Sequence, residues 1–329
     1  MIISKTPLRI SFFGGGTDYP VWFRKNGGAV LSTTIDKYCY LTVRYLPPFF
    51  PHKHRIVYSK VETVNSVSEI LHPVVRGALE FLKIEKGTEI HYDADLPANS
   101  GLGSSSSFTV GLLKSLYALN GVALSRERLA KEAIYIERDV LKESVGSQDQ
   151  TAAAYGGFNK ISFYDNDKIS VEPITIGNEK MKELENNLML FFTGASRFAS
   201  DIAKVQIENT PKKEKELSLM YKMVDRAIGI LNRGDLNDFG RLLDETWQLK
   251  KSLSDKISNP MIDDIYKRAL RAGALGGKIL GAGGGGFILF FVPSENQEKV
   301  KEELKNLLYV PFHFENLGSQ IILNNNYES

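Results

Sequence analysis

The chain has 329 residues, 43% of them hydrophobic and 24% charged, and its 41 Lys and Arg exceed its 39 Asp and Glu by two. That length accommodates two domains of about 100 to 200 residues each, and the balanced charge, with no basic block interleaved with aromatics, excludes a nucleic-acid footprint. The longest apolar runs, Leu188 to Phe192 and Phe287 to Val292, fall well short of the roughly 20 residues of a membrane span, and Cys39, the single cysteine, excludes an internal disulfide and a thiolate metal cluster. A cytoplasmic protein without nucleic-acid or membrane partners is expected, since the N-terminus opens on a strand pattern.

In chain order, Leu8, Ile10 and Phe12 alternate with Arg9 and Ser11, which predicts a strand running into Gly14, Gly15, Gly16, Thr17, Asp18 and Tyr19. Backbone can press close to a ligand at Gly15 and Gly16, and Asp18 can accept hydrogen bonds from sugar hydroxyls or cap its own turn. Ala29 to Tyr45 reads as a strand, with Cys39 in its core. His52, Lys53, His54 and Arg55 follow a proline-rich turn, either as a solvated loop or as a grip on an anion. A helix is expected over residues 67–82 and a strand over 88–92.

The stretch from Leu96 to Val110 contains Ser100, Gly101, Leu102, Gly103, Ser104, Ser105, Ser106 and Ser107, and then opens an apolar helix. Free amides at a helix N-terminus attract anions, and serine hydroxyls add phosphate donors and an oxygen ligand for Mg²⁺; the alternative is a Gly/Ser turn with a serine N-cap. This stretch lacks the Gly-Lys-Ser/Thr of a Walker loop and the Gly-x-Gly-x-x-Gly of a dinucleotide-binding turn. Ser125 predicts the N-cap of a helix over 125–145, where Glu137 either faces inward or forms a surface ion pair. Ser147 with Gln150 resembles a capping box, which would make Asp149 a first-turn acid. After Leu188 to Thr193 come Ser196 and Arg197, a second candidate anion grip. Helical patterns fill 199–272, and Gly276 to Gly286, including Gly283 and Gly284, is too glycine-rich for a plain hairpin.

Taken together, Pro7 to Pro20, Pro97 to Ser107 and Lys278 to Phe287 resemble the three glycine-rich motifs of the GHMP kinase superfamily, over almost the whole chain. Within it, Phe13 to Pro20, Leu46 to Arg55, Tyr92 to Val110 and Gly146 to Gly157 are most similar to bacterial D-glycero-D-manno-heptose 7-phosphate kinases. The resemblance implies an α+β fold in two lobes: an N-terminal nucleotide-binding lobe over 1–175 and a ferredoxin-like C-terminal lobe over 176–329. It implies ATP and Mg²⁺, a sugar or sugar-phosphate acceptor, and a triphosphate held by residues 100–107. It further implies Ser105 and Glu137 as metal ligands, Asp149 as base or orienting acid beside Arg9, and Gly15, Gly16, Asp18, Gly283 and Gly284 at the acceptor. The activity implied is phosphorylation of the anomeric hydroxyl of a heptose 7-phosphate. A neutral-sugar 1-kinase of the fucokinase type, or a non-catalytic binding protein on the same scaffold, is the alternative.

Overall fold

The alternating N-terminal run forms β1 (Ile2–Phe13), which pairs antiparallel with the long β2 (Gly28–Tyr45). The computed structural model describes residues 1–98, 100–194 and 199–325. Pro7, which has no N–H to give a ladder, sits where the β1–β2 register shifts. The sheet grows from β2 through β5 (Thr88–Ala94), β3 (His54–Val57) and β4 (Val61–Val64) on one side, with β6 (Phe158–Phe163) and β7 (Ile169–Pro173) branching from the other half of β2. A second, four-stranded antiparallel sheet has the order β11 (Leu308–Tyr309), β8 (Leu188–Phe192), β10 (Phe287–Phe291), β9 (Gly276–Ile279). With helices between β8 and β9 and between β10 and β11, this is the ferredoxin-like β-α-β-β-α-β arrangement. The chain then returns to the first lobe: β12 (Phe314–Glu315) pairs with β2 and β13 (Gln320–Asn324) with β1, completing a nine-stranded sheet.

One core cluster spans both lobes. Phe12 and Phe13 at the end of β1 meet Phe239 edge-on, with ring centroids 5.4 and 5.0 Å away, and Leu242, Leu289 and Phe291 belong to the same buried cluster. Each fully buried side chain of this size contributes about 1.5–3 kcal/mol, so the point where β1 ends in Gly14 is anchored from both sides. Two helices differ from the expected spans. Pro73 starts its helix at Pro73–Phe81 with His72 as N-cap, leaving only a 3-10 turn at Val67–Glu69. The 125–145 segment is α-helical only over Arg126–Ile134 and continues as a π turn over Tyr135–Val140, a local widening frequent at functional sites.

Candidate active site

The sheet ends and the glycine-rich loops converge on one cavity of 360 Å³. The glycine- and serine-rich stretch over 100–107 turns through Gly101 and Gly103, both left-handed at φ +86° and +76°, and Gly103 caps the helix Ser104–Leu119. Gly101 lies so near the third glycine-rich segment that a Cβ would stand 2.5 Å from the Leu280 carbonyl oxygen. Gly101→Ala is therefore expected to lose stability, with strain alone costing about 1–3 kcal/mol; an unchanged urea midpoint would contradict this close approach.

Of the stretch 100–107, Gly101, Gly103, Ser104, Ser105 and Ser106 line the cavity. Ser100, Leu102 and Ser107 hold the loop from behind: the Ser100 carbonyl accepts from Phe287 N, the Leu102 carbonyl from Arg9 N, and Ser107 Oγ donates to the Pro7 carbonyl. The serines are thus divided between cavity wall and scaffold.

Against this loop, Nε and Nη2 of buried Arg9 each donate to a different carboxylate oxygen of Asp149 at 2.8 Å, while Nη1 donates to the Gly101 carbonyl at 2.7 Å. Arg9 therefore ties the acid to the phosphate loop, and the bidentate geometry fixes the carboxylate plane. Ser147 makes no side-chain cap bond to the helix Gln148–Tyr155, so the capping-box alternative for Asp149 does not hold. Asp18 is buried beside it; its carboxylate accepts from Gly16 N at 3.0 Å and Gln148 N at 3.4 Å. Burial first, and then the Asp149 charge, raise its pKa above the usual carboxylate range. Gly15 and Gly16 line the same end of the cavity.

Glu137, presented by the π turn, is fully buried and accepts hydrogen bonds from Ser106 Oγ at 2.9 Å, Thr109 Oγ1 at 2.5 Å and Gln150 Nε2 at 2.5 Å. Burial pushes its pKa up to about 7 against those three donors. The serine bonded to Glu137 is Ser106 and not Ser105, which was expected to share a metal ion with it. Along the helix, Ser106 and Thr109 are three residues apart and share the face toward Glu137, whereas Ser105 points off that face and is exposed. Among the described residues Glu137 has no basic partner, and no group of three His, Cys, Asp or Glu surrounds a common point. Glu137 is thus a buried carboxylate held by two hydroxyls and an amide, behind the residues that line the cavity and not among them.

Two buried lysines escaped the sequence reading. Lys250, from the helix Leu236–Ser252, donates to the carbonyls of Ile279 at 3.2 Å and Gly281 at 2.5 Å; Lys278, from β9, donates to the carbonyls of Ser11 and Phe12 at 2.9 and 2.8 Å. Both line the cavity. Burial lowers both amines, Lys250 to about 7 and Lys278 well below its ordinary value. A signal for Lys250 was present: it continues the buried stripe of Leu243, Thr246 and Trp247, where a solvated lysine would not stand.

Other expected residues lie elsewhere. Gly281 and Ala282 line the cavity, whereas Gly283 and Gly284 pack against Ile257: a Cβ on Gly283 would be 2.8 Å from the Ile257 carbonyl, which also accepts from Gly284 N. They shape the loop and are not among the residues that line the cavity. In the basic cluster, Arg55 pairs with Glu89 at 2.7 Å and His54 is buried against Thr88, so half of the grip is committed to the sheet. Ser196 and Arg197 lie outside the described residues.

The descriptions "GHMP kinases N terminal domain" and "GHMP kinases C terminal" match residues 70–157 and 227–310. A D-glycero-alpha-D-manno-heptose 7-phosphate kinase of Campylobacter jejuni is 34% identical, over 94% of this chain and 95% of its own. The chain belongs to the GHMP kinase family. Among solved structures, a D-glycero-D-manno-heptose 1-phosphate kinase from Bacteroides thetaiotaomicron superposes with a TM-score of 0.82 at 28% identity over the full length of both chains. A putative sugar kinase from Campylobacter jejuni gives 0.74 at 28% identity over 98% of each. This GHMP kinase is thus a homologue of heptose phosphate kinases and an ATP-dependent sugar kinase, and none of its described helices is long and apolar enough to cross a membrane.

Proposed function

We propose that this kinase transfers the γ-phosphoryl group of ATP to the anomeric hydroxyl of D-glycero-D-manno-heptose 7-phosphate, giving the 1,7-bisphosphate and ADP. The observation that carries the reading is one cavity lined both by the start of the helix Ser104–Leu119 and by Asp18, Asp149 and Arg9, with Arg9 bonded to Asp149 and to the Gly101 carbonyl. The similarity to a heptose 7-phosphate kinase supports the choice of acceptor.

Each residue then has a task. The amides and hydroxyls at the start of the helix Ser104–Leu119 hold the triphosphate. Asp18 and the Gly15–Gly16 backbone bind sugar hydroxyls, and Asp149, clamped by Arg9, orients the anomeric hydroxyl and takes its proton as the new P–O bond forms and the bond to ADP breaks. Glu137 with Ser106 would hold Mg²⁺, which supplies charge neutralisation for the triphosphate.

The test is ADP release by the wild type and Asp18→Ala across heptose 7-phosphate, heptose 1-phosphate, the unphosphorylated heptose, fucose and galactose. A direct charge-assisted contact to the acceptor phosphate is worth about 1.5–3 kcal/mol, so the 7-phosphate should exceed the free heptose by roughly 10- to 200-fold in kcat/KM. Asp18→Ala should raise the acceptor KM and leave the ATP KM near its wild-type value. Preference for fucose or galactose would move the assignment to a neutral-sugar 1-kinase. Preference for the 1-phosphate would reverse the sugar in the site.

A further inference from the structure

Three cations line the cavity among the described residues, and they differ in what already engages them. Arg9 is neutralised by Asp149 through two hydrogen bonds and spends a third on Gly101. Lys278 gives its hydrogen bonds to two β1 carbonyls and is held toward the neutral amine by burial and by the neighbouring Lys250 and Arg9 charges. As a neutral amine it has two N–H groups, and both are used. It reads as a strap between the lobes.

Lys250 makes a similar pair of carbonyl bonds but is held less strongly toward the neutral amine. Its Nζ donates to two carbonyls and forms no ion pair, so an ammonium there keeps a third N–H available. One of those carbonyls belongs to Gly281, which abuts the phosphate loop so closely that a Cβ would stand 2.6 Å from Gly101 Cα. The groups acting on Lys250 are Arg9 from β1, Asp18 from the glycine turn and Asp149 from the helix Gln148–Tyr155, with Lys278 on β9 beside it. It therefore stands between the phosphate cradle and the acceptor carboxylates, where charge develops on equatorial phosphoryl oxygens.

We infer that Lys250 is the cation that meets the transferring phosphoryl group, with the Ile279 and Gly281 carbonyls holding its ammonium in place. Arg9 then serves mainly to fix Asp149 and the loop. The role rests on the kinase reading above for its chemical step. A second consequence does not need the acceptor: with its amine balanced at about 7 in the free protein, Lys250 is largely neutral at pH 8, and an arriving triphosphate draws a proton onto it.

The experiment uses the wild type, Lys250→Met, Lys250→Arg and Lys278→Met, with thermal melts confirming folding. Turnover of Lys250→Met should fall by roughly 10²-fold, the scale of losing one preorganised donor to a transition-state oxyanion, with less change in either KM. In the wild type, kcat/KM for ATP should decline above pH 7 as Lys250 loses its proton. Lys250→Arg should recover part of the turnover and move that decline to higher pH, because a guanidinium does not deprotonate there. Lys278→Met should lower the melting temperature and leave the pH profile where it was. Calorimetry of ATP binding at pH 8, in two buffers of different ionisation heat, should show proton uptake by the wild type and its loss in Lys250→Met.

A Lys250→Met enzyme within threefold of wild-type turnover, or the same proton uptake in both proteins, overturns the inference. Proton uptake that depends on Lys250, in a protein that phosphorylates none of the sugars, would instead overturn the kinase reading and keep Lys250 as a phosphate contact.

Discussion

Asp149→Asn is expected to lower turnover by roughly 10²-fold or more, the scale of a lost general base, while ATP still binds. The substitution keeps the side chain's size and leaves one oxygen to accept from Arg9, but it removes the negative charge and places an NH₂ against a guanidinium that donates from both Nε and Nη2. Two effects therefore add: the anomeric hydroxyl loses its acceptor, and Arg9 loses its counter-ion in a buried setting. A double-mutant cycle with Arg9→Met separates them. If Arg9 acts only by fixing Asp149, the double variant should be little worse than Asp149→Asn alone. Unchanged turnover in Asp149→Asn would reduce Asp149 to a structural partner of Arg9.

The second large effect concerns Glu137. Glu137→Gln should raise the metal concentration needed for half-maximal turnover by about 10- to 100-fold and lower turnover at saturating ATP. It should leave the melting temperature unchanged or slightly higher, because a buried carboxylate with no counter-charge is replaced by a neutral group of the same shape that its hydroxyl neighbours can still bond. The opposite pattern, a large drop in melting temperature with an unaltered metal requirement, would identify Glu137 as a structural hub under the loop. Paired serine variants sharpen the result. Ser106→Ala should shift the metal requirement more than Ser105→Ala, since Ser106 donates to Glu137 at 2.9 Å and Ser105 is exposed on the open side of the cavity.

The recognition of relatives agrees with the division of labour in the site. A heptose 1-phosphate kinase shares the fold at a TM-score of 0.82, whereas the relative at 34% identity is a heptose 7-phosphate kinase, so the two names place the sugar's existing phosphate at opposite ends. The Gly101–Ser106 loop, Arg9, Asp149 and Asp18 are assembled around one cavity here. What holds the acceptor's own phosphate is a separate matter, and the partial commitment of His54 and Arg55 to β5 weakens one of its two candidate sites.

The sequence by itself determined the local pieces and the class of chemistry. Alternation of Leu8, Ile10 and Phe12 specifies β1, and the glycines at 14–16, 101 and 103 specify where backbone must turn left-handed or approach closely. These are period and φ constraints, written in single residues and their neighbours. Tertiary structure alone decided which side chains share a space. A π turn, not an α-helix, carries Glu137, so that it meets Ser106 instead of Ser105. Gly283 and Gly284 face Ile257 and leave the cavity to Gly281, because the loop's path is set by its contact with Gly101. Lys250 lies a hundred residues from Asp149 in sequence; the packing of its helix on β9 sets it beside the Ile279 and Gly281 carbonyls, and the docking of the first lobe brings Asp149 near it. Burial and electrostatic neighbourhood are long-range properties, and a charged residue's role follows from them more than from its place in a helix period.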